Sequence, residues 1–259
     1  HQYPATRTIG IEFNVKASPV DNGDVRVALS RATDRDTMMD VVYSGANIAT
    51  TSWVPPARNG LQGGEYDQYI GFDEAKAKEA MAAAGYPNGQ GFPSLTLLLA
   101  DTATNKLAGE FLQAEWKRIL GIDIQLEFTD SRTRSSRFNA SDFQIVLGGW
   151  QEDYPDPENW FLGLWETGGS INKPQTSIPA LDDLISKAQY NTNDEERRQQ
   201  YRDAERILLE KASGIAPIYH SMVAALVRTE ISGMVENQRP GDTFVPGDWY
   251  IELWRTSRR

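Results

Sequence analysis

Residues 95–147 alternate between two hydrophobic periods, and this alternation constrains the fold more than any other feature of the 259-residue sequence. Apolar runs at residues 95–99, 122–128 and 143–147 have the length and composition of strands, and the segments 104–120 and 131–140 between them have helical spacing. Strands joined by helices in this way lie parallel, because the chain has to cross back over the sheet between them. The sequence therefore predicts an α/β domain.

The flanking sequence predicts further elements of both kinds. Helices are predicted at residues 24–43 (two short ones), 72–84, 178–190 and 194–211. Asp73 can cap the helix at 72–84 and Gly85 can end it. The Pro- and Gly-rich residues 47–69 predict a long ordered loop. Strands are predicted at residues 7–14, 215–219, 224–227 and 249–254, and such a β-rich ending would be odd in a self-contained α/β domain.

The composition argues against several classes of protein. Lys and Arg total 26 and Asp and Glu total 36, so the net charge of −10 repels phosphate backbones and anionic lipid headgroups. The absence of cysteine excludes disulfides, thiol nucleophiles and thiolate metal sites. No apolar run approaches the ~20 residues that span a bilayer. The first residues lack the features of a signal peptide, so we expect either a cytosolic protein or a processed or truncated piece. A strand that begins at residue 7 favours the processed or truncated piece over the cytosolic protein.

Several segments, collinear and similarly spaced, carry a resemblance to a known family. They are residues 10–14 (GIEFN), 24–35 (DVRVALSRATDR), 73–79 (DEAKAKE), 84–87 (AGYP), 120–124 (LGIDI), 143–157 and 216–219 (APIY). On these segments the chain is similar to the C-terminal half of the peptide- and nickel-type solute-binding proteins of ABC importers, known as family 5.

The resemblance implies a periplasmic-binding-protein type II-like lobe, in which helices flank a parallel or mixed sheet. Residues 1–212 would form the C-terminal ligand-binding lobe, and residues 213–259 a return segment that completes an N-terminal lobe otherwise absent from the sequence. The implied function is extracytoplasmic capture of peptides for a membrane ABC permease. The protein would be a monomer with no cofactor, no catalytic residue and no nucleic-acid partner. Hinge strands are expected near residues 9–14 and 217–226, so that lobe closure buries the ligand.

The candidate ligand site is the segment 148–157, which follows a predicted strand at the edge where α/β sheets bind ligands. A glycine pair that includes Gly149 lets a backbone approach a ligand closely. The resemblance implies that Asp153 pairs with the α-ammonium group of a peptide, that Trp150 lies beside it, and that Tyr154 belongs to the same site. From residue types alone, Asp153 fits a turn cap better and Trp150 fits a core position better.

Other functions remain as alternatives. A member of the same family could bind an oligosaccharide, nickel or another cationic solute, and a hydrolase is a further possibility. Against the hydrolase, His1 and His220 are the only histidines, and residues 89–91 (GQG) are followed by Phe-Pro rather than by a helix, unlike a dinucleotide-binding loop. The acidic residues between 152 and 158 miss the spacing of a calcium loop. The sequence therefore predicts neither a catalytic residue nor a metal site.

Overall fold

The computed structural model describes residues 2–60, 64–224, 231–232 and 255–256 of the chain. At its centre is a six-stranded mixed sheet with the strand order β2-β6-β1-β5-β3-β4. These strands are β1 (Gln2–Phe13), β2 (Ile48–Ala49), β3 (Leu95–Ala100), β4 (Ile124–Thr129), β5 (Ile145–Gln151) and β6 (Ile215–Ala224). A separate antiparallel pair consists of β7 (Ile231–Ser232) and β8 (Arg255–Thr256). The α-helices are α1 (Gly23–Arg31), α2 (Arg35–Tyr43), α3 (Pro56–Asn59), α4 (Asp67–Ile70), α5 (Glu74–Ala83), α6 (Ala103–Leu120), α7 (Ser131–Asn139), α8 (Pro179–Tyr190) and α9 (Asp194–Glu210).

The parallel half of the sheet confirms the predicted α/β domain. β3 pairs in parallel with β4 and with β5, and α6 and α7 form the connections. α6 begins where the Thr102 hydroxyl accepts the Asn105 N–H at 3.2 Å, and it ends at Gly121, whose φ of +73° suits glycine. One face of α6 buries Leu112 and Trp116 in the main core. Capping residues and apolar spacing therefore set the bounds of α6.

β1 lies in the middle of the sheet and is antiparallel to both of its neighbours. It pairs with β5 over Arg7–Phe13 and with β6 over a longer stretch that begins at Gln2, so the β1–β6 pair continues beyond β5 as a two-stranded ribbon. β6 is one strand of ten residues, so the predicted break between residues 219 and 224 is wrong. β1 and β2 both pair with β6 at His220, which lies inside the predicted break.

Other parts of the β-rich ending lie outside the described residues. These are residues 225–227 of the predicted strand 224–227, whose first residue ends β6, and the whole predicted strand 249–254. β6 places residues 215–224 in the same sheet as β1. The assignment of residues 213–259 to a second lobe stays a prediction.

Buried arginines hold α1 and α2, the two short helices predicted at 24–43. Arg26 donates to the carbonyls of Val20 at 2.7 Å and Ala212 at 2.9 Å, and Arg35 donates to the carbonyl of Pro217 at 2.7 Å. Burial lowers the pKa of both arginines to about 10, so both remain charged at neutral pH. Carbonyl dipoles solvate these charges, which ties the two helices to β6 and to the turn before it.

The segment 47–69 is more structured than the predicted loop, because it contains β2, α3 and α4. Glu205 of α9 is fully buried, and its Oε1 accepts the backbone N–H groups of Trp53 at 2.7 Å and Val54 at 3.0 Å. A carboxylate from a distant helix thus takes the place of a sheet partner, and it fixes Trp53 in the core.

α8 and α9 form the predicted helical hairpin, and the side chain of Asn193 caps α9 ahead of its acidic first turn. Among the described residues four tryptophans are fully buried, so core packing is their main use there: Trp53, Trp116, Trp160 and Trp165. In the described part of the chain, no helix combines the length and the apolar character that crossing a bilayer requires.

Candidate functional site

The segment after β5 is held tightly against the rest of the domain. The N–H of Glu152 donates to the carbonyl of Thr6 at 3.0 Å, which extends the β1–β5 pairing by one bond. Two guanidinium nitrogens of Arg58 on α3 donate to the carboxylate of Glu152, and Nε lies 2.7 Å from Oε2. Both side chains are more than nine-tenths buried. Bidentate pairing of this kind fixes both position and orientation. The backbone just before Asp153 is therefore rigid.

A single buried amide joins Trp150 to Asp153. Oδ1 of Asn159 accepts the indole N–H of Trp150 at 3.0 Å and the backbone N–H of Asp153 at 2.8 Å. Asn159 lies in the short 3-10 helix Pro157–Trp160, which begins where Asp156 accepts the N–H of Glu158 at 2.8 Å. Asp156 is thus the cap of this turn, a role that residue types alone had suggested for Asp153.

Asp153 differs from the other acidic residues of this segment in having a free carboxylate. Glu152 pairs with Arg58, Asp156 pairs with Arg197 at 2.7 and 2.9 Å, and Glu158 accepts the hydroxyl of Tyr154 at 3.1 Å. The carboxylate of Asp153 is exposed and has no hydrogen-bond or ion-pair partner among the described residues. It is the acid of this segment that is open to a cationic ligand.

A cavity of about 190 Å³ opens beside this segment. Its wall includes Gly149 and Trp150 of β5 together with Trp53, Trp165 and Glu12. Trp53 meets Trp165 edge-on with ring centroids 5.3 Å apart, so each ring braces the other. Ligand pockets commonly measure roughly 300–1,000 Å³. This cavity therefore has room for one side chain of a ligand rather than for a whole ligand.

The cavity contains a carboxyl group that is neutral at neutral pH. Burial raises the pKa of Glu12 to about 8, and the nearby Arg134 only partly opposes this effect. Arg134 itself donates to the carbonyl of Leu147. A protonated carboxyl can both donate and accept a hydrogen bond. Together with the tryptophan rings, it makes a mostly apolar cavity with one neutral polar group.

A second, larger depression of about 650 Å³ lies between α2, α4 and the start of α5, and its lining carries charges of both signs. Arg31 donates to the carbonyls of Gln68 and Gly71, and Arg35 donates to Pro217 and Ser30. These bonds connect helices to one another and to β6, so the arginines of this depression have structural roles.

The structure separates the four predicted site residues into two pairs. Gly149 and Trp150 line the cavity, whereas Asp153 and Tyr154 are exposed and do not. The missing Cβ of Gly149 makes room for the Thr8 carbonyl, since a Cβ there would lie 1.9 Å from that oxygen. Close approach of β1, rather than of a ligand, therefore explains this glycine.

Sequence reasoning missed four residues of this region, namely Glu12, Trp53, Asn159 and Trp165. One signal could have found Glu12, which is a charged residue inside an otherwise apolar strand. The other three give no local signal, because tryptophan is more often a core residue and asparagine more often a turn residue.

Comparisons with known proteins agree on one family. Residues 1–172 match the family model of bacterial extracellular solute-binding proteins, family 5 (middle). The chain is 31% identical over 243 residues to heme-binding protein A of Haemophilus influenzae. The aligned region covers 90% of this chain and 43% of that protein. It is also 31% identical over 221 residues to di/tripeptide-binding protein 3 of Pseudomonas aeruginosa, covering 82% of this chain and 40% of that one.

The likeness extends to solved structures. The murein tripeptide-binding protein of Escherichia coli superposes with a TM-score of 0.81 at 26% identity, over 99% of this chain and 49% of that one. The chain thus spans less than half the length of the relatives that it matches.

Proposed function

This chain belongs to the bacterial extracellular solute-binding proteins of family 5, and from that premise we propose that it forms one lobe of a protein that captures peptides for an ABC importer. Support comes from relatives named for binding dipeptides, tripeptides and oligopeptides. Residues 1–212 would form the ligand-binding lobe, and residues 213–259 would return to a second lobe. The protein would act outside the cytoplasm as a monomer, and a membrane permease would be its partner.

The free carboxylate of Asp153 is the observation that carries this proposal. Its backbone is fixed on one side by Glu152 and by Asn159 on the other, so the acid is pre-organised before a ligand arrives. A peptide α-ammonium group supplies three N–H donors and a positive charge, and a closed second lobe would exclude water from the pair. Removing one partner of such a buried pair costs about 2–5 kcal/mol.

The cavity beside Trp150 would take the ligand side chain next to the ammonium group. Its tryptophan rings and the neutral carboxyl of Glu12 suit an apolar or aromatic side chain better than a charged one. Gly149 lies on the same wall. Tyr154, exposed beside Asp153, would contact the ligand from the rim.

The ligand would be released unchanged. In this proposal Asp153 acts as a charge partner, and no residue acts as nucleophile or general base. The β1–β6 ribbon, which extends beyond the rest of the sheet, is suited to carry the chain between lobes, so closure would bend it. The closed form would be the one that the permease recognises.

Calorimetry on the full-length protein tests the proposal. A dipeptide with an apolar side chain, such as Ala-Phe, is compared with its N-acetylated form, with free heme and with Ni²⁺. We expect Asp153→Asn to weaken binding of the free-amine peptide by roughly 30-fold to 4,000-fold. Asp40→Asn, which neutralises an exposed aspartate on α2, is the matched control and should bind the peptide as wild type does. Binding of heme or Ni²⁺ but not of the peptide would refute peptide capture. Equal binding by wild type and Asp153→Asn would refute the site.

A further inference from the structure

Asn159 hydrogen-bonds to two of the four residues predicted to form the ligand site. Its Oδ1 accepts from Trp150 Nε1 at 3.0 Å and from the Asp153 N–H at 2.8 Å. Asn159 is only 7% exposed, so these bonds are largely shielded from water. One buried side chain thus joins the aromatic wall of the cavity to the free carboxylate.

From this arrangement we propose that Asn159 is a positioning residue, which sets the distance between the Trp150 ring and the Asp153 carboxylate. The inference rests on the proposed function, because it assumes that the ligand engages both groups. A ligand whose ammonium group meets Asp153 presents its next side chain at a fixed distance. Asn159 therefore determines whether the charge and the side chain are recognised together.

The residue type fits this role. A carbonyl oxygen has two lone pairs and can accept both N–H groups at once. Alanine would leave the indole N–H and the Asp153 N–H without this acceptor. Aspartate would keep an acceptor for both.

Asn159 is itself anchored to the core. Its N–H donates to the carbonyl of Asp156 at 3.1 Å, and Asp156 is paired with Arg197 of α9. The next residue, Trp160, is fully buried and meets Trp53 edge-on at 5.3 Å. The position of Asn159 is therefore set by the helical hairpin and the core, independently of any ligand.

The experiment measures the ratio of affinities for Ala-Phe and N-acetyl-Ala-Phe by calorimetry on the full-length protein. We expect Asn159→Ala to reduce this ratio by roughly 5- to 150-fold, because the Asp153 backbone loses its hydrogen bond. Asn159→Asp should keep most of the free-amine preference of wild type. Gln113→Ala is the matched control: the half-buried side-chain amide of Gln113 on α6 donates to the backbone carbonyl of Ile124 at 2.8 Å, and neither α6 nor β4 contributes a residue to the cavity wall. It should lower the melting temperature without changing the ratio.

The outcomes separate this inference from the proposed function. If wild type shows no free-amine preference, or Asp153→Asn keeps it, the proposed function fails. If both behave as expected and Asn159→Ala keeps the wild-type ratio, the positioning role is refuted. Where Asn159→Ala does not fold, Asn159→Ser carries the test, because its hydroxyl is polar but too short to reach both the indole N–H and the Asp153 N–H. A reduced ratio in Asn159→Ser supports the inference, and a wild-type ratio overturns it.

Discussion

Replacing His220 by asparagine should remove a sensitivity to acid that is built into the sheet. Nδ1 of His220 lies 2.9 Å from the hydroxyl of Thr8, and that hydroxyl donates to the carbonyl of Trp53 at 2.8 Å. The ring hydrogen therefore belongs on Nδ1. Nε2 is buried and has no hydrogen-bond partner within the described ranges. A proton on Nε2 would be an unpaired buried charge, and burial accordingly lowers the pKa of His220 from 6.5 to about 4.

The size of this change in the free energy of unfolding follows from the different proton binding of the folded and unfolded states. Between pH 6.5 and 4 the unfolded chain binds a proton at His220 and the folded chain does not, so the free energy of unfolding falls as the pH falls. At about 1.36 kcal/mol per pH unit, the difference between 6.5 and 4 amounts to about 3.4 kcal/mol in total. About 2 kcal/mol of this is lost between pH ~7.5 and pH ~5. Asparagine keeps a donor near the position of Nδ1 but does not titrate.

Urea unfolding of wild type and His220→Asn, followed by tryptophan fluorescence at pH ~7.5 and pH ~5, measures the pH-dependent contribution of His220 to the free energy of unfolding. We expect the stability difference between the two proteins to shift by about 2 kcal/mol in favour of the variant at the lower pH. His1 is present in both proteins, so any contribution from it cancels. A stability difference that is the same at both pH values would show that His220 is not held neutral by burial, and the reasoning would be refuted.

Two further predictions concern β1 and its partners. Glu12→Gln should remove a pH dependence of the opposite sign: the raised pKa of Glu12, about 8, contributes stability below pH ~4.5 that is lost as the pH rises through 8. Urea unfolding between pH ~4.5 and pH ~8 should show wild type losing stability relative to the variant as the pH rises. Parallel curves of stability against pH for the two proteins would contradict the raised pKa of Glu12. Gly149→Ala should destabilise the protein by at least about 1–3 kcal/mol, because the new Cβ meets the Thr8 carbonyl. Gly23→Ala, whose Cβ has no neighbour closer than 3.5 Å, is the control, and equal melting temperatures for the two variants would contradict this account.

The regular elements could be predicted because their signals are local. Asp73 caps α5 through the N–H of Lys76 at 3.0 Å, and Gly121 ends α6 in the left-handed conformation, as their positions in the sequence indicate. The structure of 47–69 could not be predicted in the same way. Its backbone depends on Glu205, a residue of α9 that is distant in sequence and whose burial only the tertiary fold determines.

The candidate site was predictable in position but not in detail. Gly149 and Trp150 lie at the carboxyl end of β5, which extends beyond the predicted strand 143–147, and Asp153 follows it, so the strand's topology alone locates them. Which acid stays free cannot be read from the sequence, since Arg58 and Arg197, which pair with the neighbouring acids, come from distant segments. The resemblance to a family pointed to Asp153, and its free carboxylate is consistent with that assignment.

The central position of β1 has a consequence for biosynthesis. β1 is made before both of its partners, because β5 and β6 begin only at Ile145 and Ile215. While the ribosome is still elongating the chain, the apolar side chains of Ile11 and Phe13 therefore have no sheet to join, and their backbone hydrogen-bonding groups are open to other strands. Such long-range pairing folds slowly and exposes the nascent chain to aggregation. Chaperone capture of nascent chains arrested before residue 145 should therefore depend strongly on these two side chains.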